Sequence, residues 1–122
     1  MLNKRDFVKG AAAVVTTALV TPGRAAPPDF DVVVYNDWFA PARAFAGDLA
    51  NQGVRALPVQ GDAGRLWYDT LRGLVSSGAR RIAGMTTHTD LLILQTLARA
   101  EGLKVRQRRG VGGARLVSWV LI

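Results

Sequence analysis

Leu116-Val117-Ser118-Trp119-Val120-Leu121-Ile122 is the stretch on which the fold turns. It is apolar at both odd and even positions, so as a β-strand it offers no face to water. Such a strand must be covered, either centrally in a sheet or by a partner chain, because a bare edge of this kind invites association. Upstream, Leu103 to Arg108 is also strand-like, and Arg109-Gly110-Val111-Gly112-Gly113 connects it to the segment from Ala114 to Ile122. Two extended runs around a Gly-rich turn read as an antiparallel hairpin.

The rest of the chain alternates. Asp31-Val32-Val33-Val34-Tyr35 is a β-branched run too short for most helices and reads as a first strand. Ala42, Phe45, Ala46, Leu49, Ala50 and Gly53 then recur at helical spacing, with Pro41 tolerated in the first turn and Gly53 at the end. Val54 to Val59 is a second strand, broken by Gln60-Gly61-Asp62. A second helix shows Trp67, Leu71, Leu74 and Val75 on one face. Arg81 to Met85 is a third strand, followed by a helix carrying Leu91, Leu92, Leu94, Leu97 and Ala98 and closed at Gly102. The order β-α-β-α-β-α-β-β with short connections predicts a mainly parallel sheet covered by helices on both faces. The expected fold is a small three-layer α/β sandwich, flavodoxin-like or half-Rossmann, with a C-terminal antiparallel hairpin, forming a single domain over 31–122.

The first thirty residues read differently. Lys4 and Arg5 precede an uncharged apolar run from Gly10 to Val20, followed by Thr21-Pro22-Gly23-Arg24-Ala25-Ala26-Pro27-Pro28. This is the three-part pattern of an export signal. At about 1.5 Å per residue, the apolar run spans far less than a ~30 Å hydrocarbon core, which argues for a cleaved peptide over a permanent anchor. Small residues at Gly23 and Ala25 place cleavage after Ala25, leaving 26–30 as a Pro-rich spacer. The run Asn3-Lys4-Arg5-Asp6-Phe7-Val8-Lys9 resembles a twin-arginine translocation signal, in which two basic residues precede a variable residue, Phe, an aliphatic residue and Lys. Lys4 stands where that pattern has its first arginine, so the general secretory route stays open beside it. The resemblance covers residues 1–25 and implies a bacterial protein delivered to the periplasm, touching the membrane only during export.

Composition limits the chemistry. Of 122 residues 49% are hydrophobic and 20% charged, which suits a packed domain and not a disordered tail. There is no cysteine, hence no thiolate nucleophile, disulfide or cysteine metal site. Lys4, Arg5, Lys9 and Arg24 against Asp6 belong to the leader, so the 16 basic and 9 acidic residues become twelve and eight beyond Ala25, and the net charge falls from +7 to +4. That makes nucleic acid a poor fit as a partner. The remaining excess gathers in Lys104, Arg106, Arg108, Arg109 and Arg115, with no acidic residue after Lys104. Such a run reads either as a solvated, charge-protected sheet edge or as a patch for an acidic partner.

In open parallel sheets ligands bind outside the carboxyl ends of the strands, where loops and helix N-termini converge. The expected rim comprises Asn36, Asp37 and Trp38 after strand one, Asp62 after strand two, and Thr86, Thr87, His88 and Thr89 after strand three. Arg43 and Arg65 enter from the first turns of adjacent helices. His88, the one histidine, is the candidate general acid or base, with Asp37 or Asp62 to orient it. Asp37 and Asp62 equally suit turns and helix caps, and Thr87 with Asp90 three residues on resembles a capping arrangement. One histidine with scattered carboxylates lacks metal-ligand spacing, so no metal is implied. The first strand-to-helix turn, Asn36-Asp37-Trp38-Phe39-Ala40, has no glycine to admit a pyrophosphate, so no dinucleotide cofactor is implied either.

Three functions remain. The leading one is an exported periplasmic binding or accessory protein that uses the rim for an unknown small ligand or a periplasmic partner protein, with self-association through the C-terminal hairpin. The second is a small acid–base enzyme, a hydrolase or isomerase, built on His88. The third is an interaction module that docks through the Arg-rich hairpin.

Overall fold

A computed structural model describes residues 29–111 and 115–122. The leader, its cleavage point, most of the Pro-rich spacer and the Gly112-Gly113 turn lie outside these residues. The elements are β1 (Val32–Asn36), α1 (Ala40–Ala50), β2 (Arg55–Val59), a helix α2 over 63–76, β3 (Ile82–Thr87), α3 (His88–Arg99), β4 (Val105–Val111) and β5 (Leu116–Leu121). The chain is thus α/β in content.

The sheet corrects the expected fold class. Among the described residues its five strands lie in the order β2-β1-β3-β5-β4; β1 pairs in parallel with β2 and β3, whereas β5 pairs antiparallel with both β3 and β4. The sheet is therefore mixed, and the protein is not a mainly parallel flavodoxin-like or half-Rossmann sandwich. The physical reason lies in the hairpin. Every side chain of β5 except that of Ser118 is buried, while those of β4 from Arg106 to Gly110 are exposed. Placing β5 between β3 and β4 pairs both its edges, sets Val117, Trp119 and Leu121 in the core beneath α2 and α3, and leaves the arginine-rich strand at the rim, where charge discourages further pairing. At the opposite edge β2 carries Pro58, a residue that cannot donate to a ladder and is tolerated there.

Helices cover the sheet unequally. On one face Val32, Val34, Leu57, Ile82, Val117, Trp119 and Leu121 pack against Trp67, Leu71 and Val75 of α2 and Leu91, Leu94 and Ala98 of α3. On the other, Val33 and Ala83 meet Ala46, Phe45 and Leu49 of α1, while Ala42 meets Met85 and Leu116. The middle of α2, Trp67–Leu71, is π-helical, with the Arg72 amide donating to the Trp67 carbonyl. This wider turn keeps Trp67, Leu71 and Val75 all inside the core.

Two contacts tie the sheet together. Trp119 of β5 lies across Gly84 of β3, its register partner, so closely that a Cβ at Gly84 would overlap the indole ring. The same indole donates its Nε1–H to the Thr86 hydroxyl at 2.9 Å, and that hydroxyl donates to the Thr87 carbonyl. At the other end of the strands, the Asp31 carboxylate accepts from the amides of Arg80 and Arg81 at 2.9 and 3.2 Å, joining the start of β1 to that of β3.

Candidate functional site

The turn after β1 is rigidly built. The Asn36 side-chain oxygen accepts from the Trp38 amide at 3.0 Å, the Asn36 carbonyl accepts from the Phe39 amide, and the Arg43 guanidinium donates to the Asp37 carbonyl at 2.9 Å. Held this way, Trp38 stands 84% exposed, the most exposed large apolar side chain among the described residues. It borders a crevice of about 490 Å³ lined by Asn36, Asp37, Trp38, Phe39, Val59, Gln60 and Gly61. Exposing an indole costs free energy unless something covers it, and here the backbone that could withdraw it is fixed by three hydrogen bonds.

The strand order reverses between β1 and β3, and at that point the structure has closed the gap with its own side chains. Asn36 donates through Nδ2 to Asp90 Oδ2 at 2.9 Å, and the same oxygen accepts from the Thr87 amide at 3.3 Å. Thr87 in return accepts from the Asp90 amide at 3.1 Å, completing a capping box at the start of α3. Asp90, legible in the sequence only as a cap partner, also fastens the β1 turn to α3.

The other rim residues are dispersed. The Asp62 carboxylate caps α2 by accepting from the Arg65 amide at 3.0 Å, and Arg65 pairs loosely with Asp69 on the surface. These three line a separate polar hollow of about 410 Å³. His88 and Thr89, both exposed, lie in a third depression of about 240 Å³ together with Arg108. The His88 ring offers Nδ1 to the Arg108 guanidinium at 3.4 Å; since guanidinium only donates, Nδ1 is the acceptor. No hydrogen bond among the described residues joins His88 to Asp37 or Asp62. Thr86 is fully buried and its hydroxyl is used inside the protein. Asn36, Asp37 and Trp38 are thus brought together, while Asp62 with Arg65 and His88 with Thr89 are each set apart.

Among the described residues no three His, Asp or Glu side chains come close enough to hold a metal ion, and no helix is long and apolar enough to cross a membrane. Sequence reasoning placed no ligand contact at Val59, which lines the crevice, or at Phe30, Phe45 and Gln107, which line a groove on the sheet face together with Arg109, read in the sequence only as part of the Arg-rich hairpin. The signal for the latter is the register of β4 on β5, visible only once the strand order is known. No protein-family model matches the chain, and no curated protein and no solved structure matches it either.

Proposed function

We propose that this is an exported binding protein whose site is the crevice beside Trp38. The observation that carries the proposal is Trp38 itself, an indole held almost fully in solvent by a hydrogen-bonded turn at the mouth of a crevice. A flat, pre-positioned aromatic surface stacks on planar rings at little entropic cost. The Asp37 carboxylate, without an ion pair among the described residues, and the Asn36 and Gln60 amides favour a neutral or cationic nitrogen heterocycle over an anion. Export rests on the leader pattern around Lys4 and Arg5 and the small residues before Ala26. The acid–base alternative takes second place, because His88 faces Arg108 and not a carboxylate.

The test is native mass spectrometry of the chain recovered unrefolded from its host's periplasm. The proposal expects a species processed after Ala25 that carries a small molecule, and loss of that molecule on Trp38→Ala with folding intact. An unprocessed chain in the cytoplasm contradicts export, and a ligand retained by Trp38→Ala contradicts the site.

A further inference from the structure

Among the described residues the sheet face under α1 is only half covered: α1 packs over β1, β2 and β3, and its first turns reach Leu116, but none of the described helices lies above the far half of β5 and the adjoining part of β4. A strand face open to water is ordinarily polar. Here Val120 and Ala83 form an apolar floor, and Phe30 and Phe45, both half-buried, form one wall. The opposite wall comes from β4. Gln107 stands opposite Val120 and Arg109 opposite Ser118, so these side chains share the face while the intervening Arg108 turns to the other and reaches His88. The groove, open to solvent along its mouth, measures about 500 Å³, within the range of small-molecule sites.

Its charge is one-sided. Among the described residues no acidic side chain lines it, and Arg109 has no carboxylate within ion-pair distance. A neutral apolar ligand would leave the guanidinium unused, and a bare inorganic anion would leave both phenyl rings unused. We infer that this groove is a second ligand site, distinct from the Trp38 crevice, and that it takes an aryl carboxylate. The ring lies against Phe30 and Phe45 over Ala83 and Val120, and the carboxylate meets Arg109 with Gln107 or Ser118 beside it. Arginine suits the task because its planar fork can engage both carboxylate oxygens at once.

A matched pair of probes isolates the charge. 2-Naphthoate and 2-naphthamide share a ring system and differ in the anion, and each is titrated into the full chain while backbone amide shifts are followed by NMR. The inference expects saturable 1:1 binding of 2-naphthoate with the largest shifts at Ala83 and Val120, and affinity about tenfold above that of 2-naphthamide, the scale of one charge-assisted contact. Arg109→Gln should bring 2-naphthoate down to the level of the amide. Arg106→Gln, which removes the same charge from the same strand outside the groove, should change its affinity less than about twofold. Equal affinities for the two probes, indifference to Arg109→Gln, or shifts confined to the Trp38 crevice would overturn the inference. So would a dimer in sedimentation velocity that excludes 2-naphthoate, an outcome that assigns the face to a second copy of the chain.

Discussion

Trp119 and Gly84 act as one unit. The indole needs a neighbour without a side chain, and Gly84 supplies that space at the cost of a weaker strand, a cost offset by burying the ring and satisfying its N–H on Thr86. Gly84→Ala is expected to lower stability in urea unfolding by about 3 kcal/mol, the upper part of the range for overpacking a close-packed core. Combined with Trp119→Leu, the two substitutions should cost clearly less than the sum of their separate effects, because the shortened side chain vacates the space the new methyl needs. Strict additivity would mean that the ring does not lie on Gly84. Asp90 is the second residue with a double task, completing the capping box of α3 from its third position and anchoring Asn36. Asp90→Ala should cost about 2 kcal/mol, since it leaves the Thr87 backbone amide and the Asn36 side-chain amide without their acceptor while the Thr87 cap itself remains. It should also broaden the Trp38 amide signal, because the turn that carries Trp38 then loses its tie to α3.

Elements are where the sequence and the structure part company. The order and type of every element follow from local pattern: β-branched runs for β1 and β2, the Ala42, Phe45, Ala46, Leu49 stripe for α1, and the Leu91, Leu94, Ala98 stripe for α3. Strand order does not follow, because a local pattern records how buried a strand is and not which strand lies beside it. The contrast between β5, apolar on both faces, and β4, charged throughout its middle, does carry the answer in physical terms: the first belongs inside a sheet and the second at its edge. The rim illustrates the same limit. Asn36, Asp37 and Trp38 are neighbours in sequence and remain so in the crevice, whereas grouping His88 with Asp62 required loop geometry that no spacing encodes. Hydrogen exchange tests the strand placement. The amides of Val117, Trp119 and Val120 should be among the slowest to exchange, and the solvent-facing amides of β4 among the fastest; fast exchange along β5 would contradict its central position.

At the scale of the molecule, the described residues form a mixed sheet with unequal cover, two helices on one face and one on the other, and both candidate sites follow from that arrangement. The Trp38 crevice lies where the loops after β1 and β2 diverge, and the aryl carboxylate groove lies where α1 stops short of β4. A domain of this size needs most of its apolar side chains for its own core, and among the described residues Trp38 is the large one left furthest outside. Of the three tryptophans, Trp67 and Trp119 are each 2% exposed and Trp38 is 84% exposed. The protein therefore carries its own reporters: three indole N–H signals, one at the proposed site and two in the core. The most direct test of the account follows these signals by NMR while neutral and cationic nitrogen heterocycles are titrated in. The account predicts that at least one such compound moves the Trp38 signal saturably while Trp67 and Trp119 stay in place, and that Asp37→Asn weakens the binding of cationic compounds. A panel that leaves Trp38 unmoved, or that shifts all three indoles together, would contradict it.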